Sequence, residues 1–244
     1  MQRIDLRAAL RTAAFVFLLL GALPLVHGVP SSPTTIDVLS SERRDLGLIP
    51  DQNISAQAGN ITELDITVLS VSRSWQGYYG NITGYIVLDD ADNNSFYNWT
   101  LTTITGEIYA ARNASVSFTT VNCTNATQIT AEETFLGHAA IDGDSVTNTF
   151  NATNHPLIYV GTKTIANNSC PSTNAFGPSG LSPTEFYQVL LSDGAESIVY
   201  TAILENSQAG FDGNAYDFEL LVGENNHDGS PATTTYYLWV ELGI

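Results

Sequence analysis

A two-residue alternation of apolar and polar side chains constrains the fold of this chain more than any other feature. Residues 64–68, 218–222 and 236–242 each follow this period, and they are rich in Val, Ile, Thr, Tyr and Phe. Pleated surfaces favour those residue types. Because side chains on a strand point alternately to its two faces, the pattern predicts half-buried β-strands.

Turn residues separate these strand candidates. Gly stands beside Asp or Asn at residues 80–81, 142–144, 193–194 and 212–214, as tight turns require. No segment keeps apolar residues at helical spacing over three turns. We therefore predict an all-β fold, an antiparallel β-sandwich of immunoglobulin-like or jelly-roll-like type, with a loop-rich middle insertion at residues 121–185.

The first 28 residues are predicted to form a signal peptide. Three arginines precede an apolar run at residues 13–26. Pro24 interrupts this run, and a membrane span needs about 20 apolar residues, so the run is too short to be one. Cleavage is expected after Gly28. The alternatives are an uncleaved N-terminal anchor with the same location, and a pilin-type leader whose apolar helix is retained.

The rest of the chain divides into two predicted parts. Residues 29–62 are rich in Pro, Ser and other polar residues and are predicted to be a linker or N-terminal arm. Residues 63–244 hold the strand pattern and are predicted to form the β-sandwich domain. They contain no second apolar run of spanning length, so the processed protein is not expected to be integral to a membrane.

The charge of the chain excludes one class of partner. It has 25 acidic and 8 basic side chains, for a formal net charge of −17. Binding to nucleic acid needs Lys and Arg to displace counterions, so no nucleic-acid partner is expected. A hydrophobic fraction of 43% and an aromatic fraction of 10% indicate a packed domain rather than an acidic disordered tail.

Asparagine glycosylation sequons are dense and unevenly placed. Ten of the 19 asparagines begin an Asn-x-Ser/Thr triplet, where chance placement gives about four. None lies beyond residue 169, so the C-terminal third is the part expected to stay bare for protein contacts. The alternative is that Asn- and Thr-rich turns produce the motif by coincidence. The asparagines are Asn53, Asn60, Asn81, Asn93, Asn98, Asn113, Asn122, Asn125, Asn151 and Asn167.

The two cysteines of the chain predict one disulfide bond. Cys123 and Cys170 are 47 residues apart, and an isolated pair in an exported protein is normally bridged. Free thiols or a metal site are the alternatives, but a pair without neighbouring histidines is a poor zinc set.

Candidate catalytic chemistry is weak, and we predict no enzyme. After the signal segment only His138, His155 and His227 remain, and no Gly-x-Ser-x-Gly elbow frames a serine. Glycoside hydrolysis needs two facing carboxylates. The candidate glutamates belong to no recognisable catalytic motif, and solvent-exposed positions on strands and in turns account for them. They are Glu107, Glu132, Glu133, Glu185, Glu196, Glu205 and Glu219.

One acidic loop is a candidate cation site. Asp90, Asp92 and Asn94 place oxygen ligands at alternate positions, as Ca²⁺ prefers. Ser95 occupies the glycine position of an EF-hand loop, and Leu101 stands where the final glutamate would be. The alternative is that these residues simply form a turn. No cofactor is expected other than Ca²⁺ bound by this loop or by the similar clusters at residues 142–144 and 212–217.

Trp75, Tyr78 and Tyr79 form a candidate ligand-binding platform. They cluster around Gly77 and Gly80, and sugars stack on exposed aromatic rings. Aromatic residues at the end of a strand also fill the core of a sandwich, which is the structural alternative.

Several motifs resemble exported β-sandwich surface proteins of archaeal type, a largely uncharacterised group. The motifs lie at residues 75–81, 88–91, 106–110, 211–218 and 236–240, and the resemblance covers about residues 63–244. It implies a β-sandwich and a cell-surface location. It implies no catalytic residue.

The sequence therefore predicts a secreted or cell-surface structural or adhesive glycoprotein. It is expected to self-assemble, or to bind other surface proteins, through open sheet edges, with residues 29–62 as a candidate donated strand. The alternatives are an extracellular carbohydrate-binding or Ca²⁺-dependent binding module and, less favoured, a glycoside hydrolase.

Overall fold

The computed structural model describes residues 28–44, 50–181, 184–194, 197–225 and 233–243. The predicted signal peptide lies outside the described residues except for Gly28, and His227 and Glu196 lie outside them as well. Within the described ranges, no helix has both the length and the apolar character needed to cross a membrane.

Strands make up most of the regular structure. The first eight strands are β1 Trp75–Gly80, β2 Tyr85–Asp89, β3 Ser95–Thr100, β4 Gly106–Ala111, β5 Asn122–Cys123, β6 Ile158–Val160, β7 Lys163–Ile165 and β8 Ser172–Asn174. The next eight are β9 Phe176–Gly177, β10 Gly180–Leu181, β11 Tyr187–Ser192, β12 Ile198–Ile203, β13 Gln208–Ala209, β14 Ala215–Tyr216, β15 Phe218–Gly223 and β16 Tyr237–Leu242. The helices in the described residues are α1 Ala126–Leu136 and α2 Val146–Thr149.

The prediction of an antiparallel all-β fold is confirmed. Strands hold 34% of the described residues and helices 8%. One antiparallel sheet has the order β16-β4-β12-β11-β5, and β8 also pairs with β11. The other described strands form antiparallel pairs: β1 with β15, β2 with β3, β6 with β7, β9 with β10, and β13 with β14. The described strands therefore form one large sheet, whereas the predicted β-sandwich would have two.

The six-stranded sheet is buried on both faces. On β4, Ile108 and Ala110 belong to one core cluster, whereas Tyr109 belongs to the cluster on the opposite face. The first cluster includes residues of α1, α2 and β15, and the second includes residues of β6 and β7. Because both faces are covered, the run Ile198–Ile203 can be almost continuously apolar.

Helix α1 was not predicted, because its inward face is not apolar. Its buried residues are Glu132, Glu133 and Leu136. Glu132 forms an ion pair with Arg112 and accepts a hydrogen bond from the Tyr200 hydroxyl. A helix that buries paired carboxylates lacks the hydrophobic stripe by which amphipathic helices are recognised.

The middle of the chain is part of the main sheet. Residues 121–185 contain both helices and several short strands, and two of these strands pair with β11. The disulfide between Cys123 and Cys170 is confirmed. It ties β5 to the chain just before β8.

The N-terminal arm forms one described backbone bridge with the edge of the main sheet. The Ser31 amide donates to the Val240 carbonyl at 3.0 Å, and the Val240 amide donates to the Ser31 carbonyl at 2.8 Å. Pro33 has no N–H to continue this ladder along β16. The described part of the arm therefore meets β16 through a single bridge.

Candidate assembly surface

Residues 61–69, here named the free segment, are exposed and have no strand partner among the described residues. Exposure is 103% for Ile61, 74% for Ile66 and 85% for Val68. Leu64 and Leu69 are also exposed, at 53% and 55%. The strand predicted from the alternation at residues 64–68 is therefore absent here; regular strand structure begins at Trp75.

Hydrogen bonds attach the chain to the rest of the fold directly after the free segment. The Ser72 hydroxyl donates to an Asp144 carboxylate oxygen at 2.7 Å, and the Trp75 indole N–H donates to the Asp144 carbonyl at 2.6 Å. The hydrogen bond from Ser72 holds the pKa of Asp144 below its usual range. The free segment thus ends at a fixed point on the surface, next to the start of β1.

The β2–β3 hairpin presents a second exposed apolar surface. Ile86 is paired with Trp99, and Leu88 with Tyr97. Residues directly opposite each other on antiparallel strands share a face, and the Tyr97 and Trp99 rings lie 4.8 Å apart. These four side chains are here named the apolar hairpin face. Leu88, Tyr97 and Trp99 are 51%, 57% and 48% exposed.

The opposite face of the hairpin carries a predicted glycosylation site. Asn98 pairs with Val87, and Tyr85 pairs with Thr100. The pairing shifts register between Leu88 and Asp89, and Phe96, beside this irregularity, is 85% exposed.

The predicted Ca²⁺ residues form the turn of the same hairpin. The Asp90 carboxylate accepts hydrogen bonds from the Asp92 amide and from both the amide and the side chain of Asn94. The bonds from Asn94 lower the pKa of Asp90. The Asn94 side chain donates a hydrogen bond from its N–H₂ group to the Asp90 carboxylate, so two of the predicted Ca²⁺ ligands bond to each other. No cluster of three or more His, Cys, Asp or Glu residues suited to a metal occurs in the described part of the chain.

The structure separates the three predicted platform residues. Trp75 packs against Phe150 and Tyr200, with ring centroids 5.8 and 6.2 Å away. Tyr78 and Tyr79 are exposed, at 41% and 44%. Trp75 is half-buried and packs against the core, as in the structural alternative.

A different aromatic group forms around Tyr79. Its ring lies 5.1 Å from Phe211 and 4.8 Å from Tyr216. The Phe211 and Tyr216 rings are nearly parallel, at 18°. Sequence reasoning missed this group because Tyr79 and Phe211 are 132 residues apart, and only the β1–β15 pairing brings them together.

Two glutamates face each other inside the fold. Glu107 on β4 is paired with Glu241 on β16, and they are 7% and 2% exposed. Glu241 accepts hydrogen bonds from the Tyr109 hydroxyl and the Gly161 amide. Burial, together with the nearby Glu241 carboxylate, raises the pKa of Glu107 to about 8. A substrate cannot reach carboxylates with so little exposure, so this pair does not fit the hydrolase hypothesis.

The described histidines are used in structural contacts. His155 accepts hydrogen bonds at Nε2 from the Ser169 and Cys170 amides, so the proton on Nδ1 is donated to the Pro156 carbonyl. His138 is bonded through Nε2 to the Glu224 carbonyl. In the described part of the chain, these contacts of His138 and His155 are all with backbone groups.

Nine of the ten sequon asparagines are exposed, and Asn113 is half-buried. Asn125 also caps helix α1, where its side chain accepts from the Gln128 amide. The Oδ1 atom makes this bond, and a sugar attaches to Nδ2, so capping and glycosylation are compatible. Occupancy of the sequons stays a prediction.

A small cavity of about 170 Å³ is lined by Arg112, Asn113, Ser197 and Ile198. Ligand sites usually measure about 300–1,000 Å³, so the exposed apolar surfaces are the stronger candidates for function. Comparison of the chain with protein-family models, with curated proteins and with solved structures gave no match.

Proposed function

We propose that this chain is a secreted or cell-surface structural glycoprotein whose copies assemble through strand addition. The free segment carries this proposal. It has the two-residue alternation of a half-buried strand, yet Ile66 and Val68 are 74% and 85% exposed and have no strand partner among the described residues. A segment of this kind is a template for pairing with another chain.

The free segment is a better donor than the N-terminal arm. The arm meets its own sheet at Ser31, and its prolines interrupt strand pairing. In the free segment, Leu64, Ile66 and Val68 fall on one face of an extended strand, where they would fill successive pockets of an acceptor. We therefore propose residues 64–68, and not residues 29–62, as the core of the donated strand.

The test compares two substitutions that add the same charge at neighbouring residues. Ile66→Asp places a carboxylate on the apolar face of the free segment, whereas Thr67→Asp places it on the other face. Both residues are exposed in the chain, so neither change should alter folding. Sedimentation equilibrium of the purified chain should show that Ile66→Asp weakens self-association at least about tenfold, or ~1.4 kcal/mol.

Thr67→Asp should change the association constant by less than about threefold, since surface substitutions usually act within about 0.5 kcal/mol. Equal effects of the two substitutions would show that charge alone matters. A wild-type chain that stays monomeric at all concentrations would refute the proposal.

A second candidate function is recognition of carbohydrate by the exposed rings of Tyr79 and Phe211 and the half-buried ring of Tyr216. The near-parallel arrangement of Phe211 and Tyr216 favours it. Glycan-array binding should be lost in Tyr216→Ala and kept in Tyr237→Ala, which removes an exposed tyrosine elsewhere. An array without hits for the wild-type chain would exclude it.

A further inference from the structure

The β2–β3 hairpin lacks a covering layer among the described residues. An isolated two-stranded hairpin is marginally stable, and a third strand or another packed element is normally needed. Here the apolar hairpin face adds two aromatic rings about half exposed to solvent. Both observations point to an additional strand or layer at this site.

We infer that the apolar hairpin face is the acceptor for the free segment of a second copy of this chain, an inference that rests on the proposed function. The donor and the acceptor are matched in chemistry. Each presents apolar side chains at two-residue spacing: Leu64, Ile66 and Val68 on the donor, and Tyr97 and Trp99 on β3. Adding the donor to the edge of β3 completes a three-stranded sheet with one continuous apolar face.

Charge selects the direction of the added strand. Asp89 at the end of β2 and Asp90 and Asp92 in the turn lie just before Ser95, whereas the acidic residues of the free segment, Glu63 and Asp65, lie toward its N-terminal end. Like charges are kept apart when the N-terminal end lies beside Thr100 and the C-terminal end beside the turn. Such a strand runs antiparallel to β3.

This direction gives a specific register. Leu64 lies opposite Trp99, and Ile66 lies opposite Tyr97. Because directly opposite residues share a face, Leu64 and Ile66 would then both extend the apolar hairpin face. A sugar on Asn98 would project from the other face and leave this one open.

The placement of the two surfaces on the chain favours a second copy over the same copy. The free segment joins the body at the Trp75 end of β1, whereas the hairpin follows the Gly80 end. The contacts of Ser72 and Trp75 with Asp144 fix the chain at the first of these ends. Since donor and acceptor are different surfaces, successive copies would join head to tail, as in a filament.

Disulfide trapping between two differently labelled copies tests the register. The chain has no free cysteine, so one copy carries Ile66→Cys and the other Tyr97→Cys. Cross-strand partners have the Cα separation that a disulfide needs. Controls mix Thr67→Cys with Tyr97→Cys, and Ile66→Cys with Asn98→Cys, which place the thiols on opposite faces.

We expect the Ile66/Tyr97 mixture to give at least about tenfold more cross-linked dimer than either control mixture. Copies that associate but cross-link no better than the controls would overturn the acceptor assignment while the proposed function stands. If a chain carrying both cysteines cross-links within itself and the mixture does not cross-link, the occupant is the chain's own segment and the inference is wrong. A wild-type chain that does not associate would refute both proposals.

Discussion

At the scale of single residues, buried carboxyl groups link this fold to pH. Glu107 and Glu241 are paired across β4 and β16, and both are almost fully buried. Two adjacent buried carboxylates cannot both ionise cheaply, because desolvation and repulsion oppose the second charge. Since the pKa of Glu107 is raised to about 8, its proton is retained in the fold at neutral pH.

Replacing Glu107 with Gln should remove part of the pH dependence of stability. In the unfolded chain Glu107 loses its proton near its usual pKa, but in the fold it keeps that proton until about pH 8. The folded state therefore binds more protons between these values, so this group's contribution to stability falls as pH rises from about 4.5 to 8. Glu107→Gln should be more stable than wild type at pH 8, by a few kcal/mol at most.

The measurement is guanidinium unfolding of both proteins at pH 5 and pH 8. The gain from Glu107→Gln should be larger at pH 8 than at pH 5, and comparison of the two proteins cancels the effects of other titrating groups. An equal difference at both values would mean that Glu107 titrates normally.

Trp75 should prove to be a stability residue rather than a ligand residue. Its indole packs against Phe150 and Tyr200 and donates a hydrogen bond to Asp144. Trp75→Ala should therefore cost about 3 kcal/mol in unfolding free energy. Tyr79→Ala removes exposed ring contacts and should cost about 1 kcal/mol. Thermal unfolding checks both, and equal losses would contradict the assignment.

At the scale of elements, the β2–β3 hairpin and helix α1 are opposite cases. The hairpin is apolar yet exposed, whereas the helix is polar yet buries Glu132 and Glu133. The helix is stabilised by specific polar contacts: the Arg112–Glu132 ion pair, a bond from the Thr147 amide to Glu133, and the cap at Asn125. No described residue gives the hairpin comparable cover, which is the basis for its proposed role in assembly.

The cap of α1 can be separated from the sequon that shares its asparagine. Asn125→Ala removes both the cap and the sequon, whereas Thr127→Ala removes only the sequon. Loss of an asparagine cap costs about 1 kcal/mol, so Asn125→Ala should be less stable than Thr127→Ala by that amount in chemical denaturation. Both variants lack a sugar at residue 125, so equal stability would mean that the cap contributes nothing.

At the scale of the whole molecule, net charge opposes assembly. Copies with a formal charge of −17 repel one another, and an apolar contact must overcome this repulsion. Salt shortens the range of the repulsion, from a Debye length of about 10 Å at 0.1 M to about 3 Å at 1 M.

Self-association should therefore become stronger as NaCl is raised from about 0.1 M to about 1 M. Light scattering at fixed protein concentration provides the measurement, with Ile66→Asp as the control that should stay dissociated. An interface held by ion pairs would respond in the opposite sense, so dissociation at high salt would contradict an apolar interface.

Residue types and the presence of only two cysteines were enough to predict the β class and the Cys123–Cys170 pairing, because both follow from the sequence without knowledge of long-range contacts. The sequence could not determine which strands are covered. Residues 64–68 and 218–222 have the same alternation, yet Leu220 and Val222 are 1% exposed whereas Ile66 and Val68 lie at the surface.

The contact partners of individual side chains emerge only from the folded chain. Trp75 packs against the core, Tyr79 lies beside Phe211, and Glu107 lies opposite Glu241. Helix α1 buries the carboxylates of Glu132 and Glu133 on its inward face. The physical reason is that periodicity records only that one face of a strand is apolar. What covers that face depends on chain segments far apart in sequence, or, for the free segment and the hairpin as proposed here, on another copy.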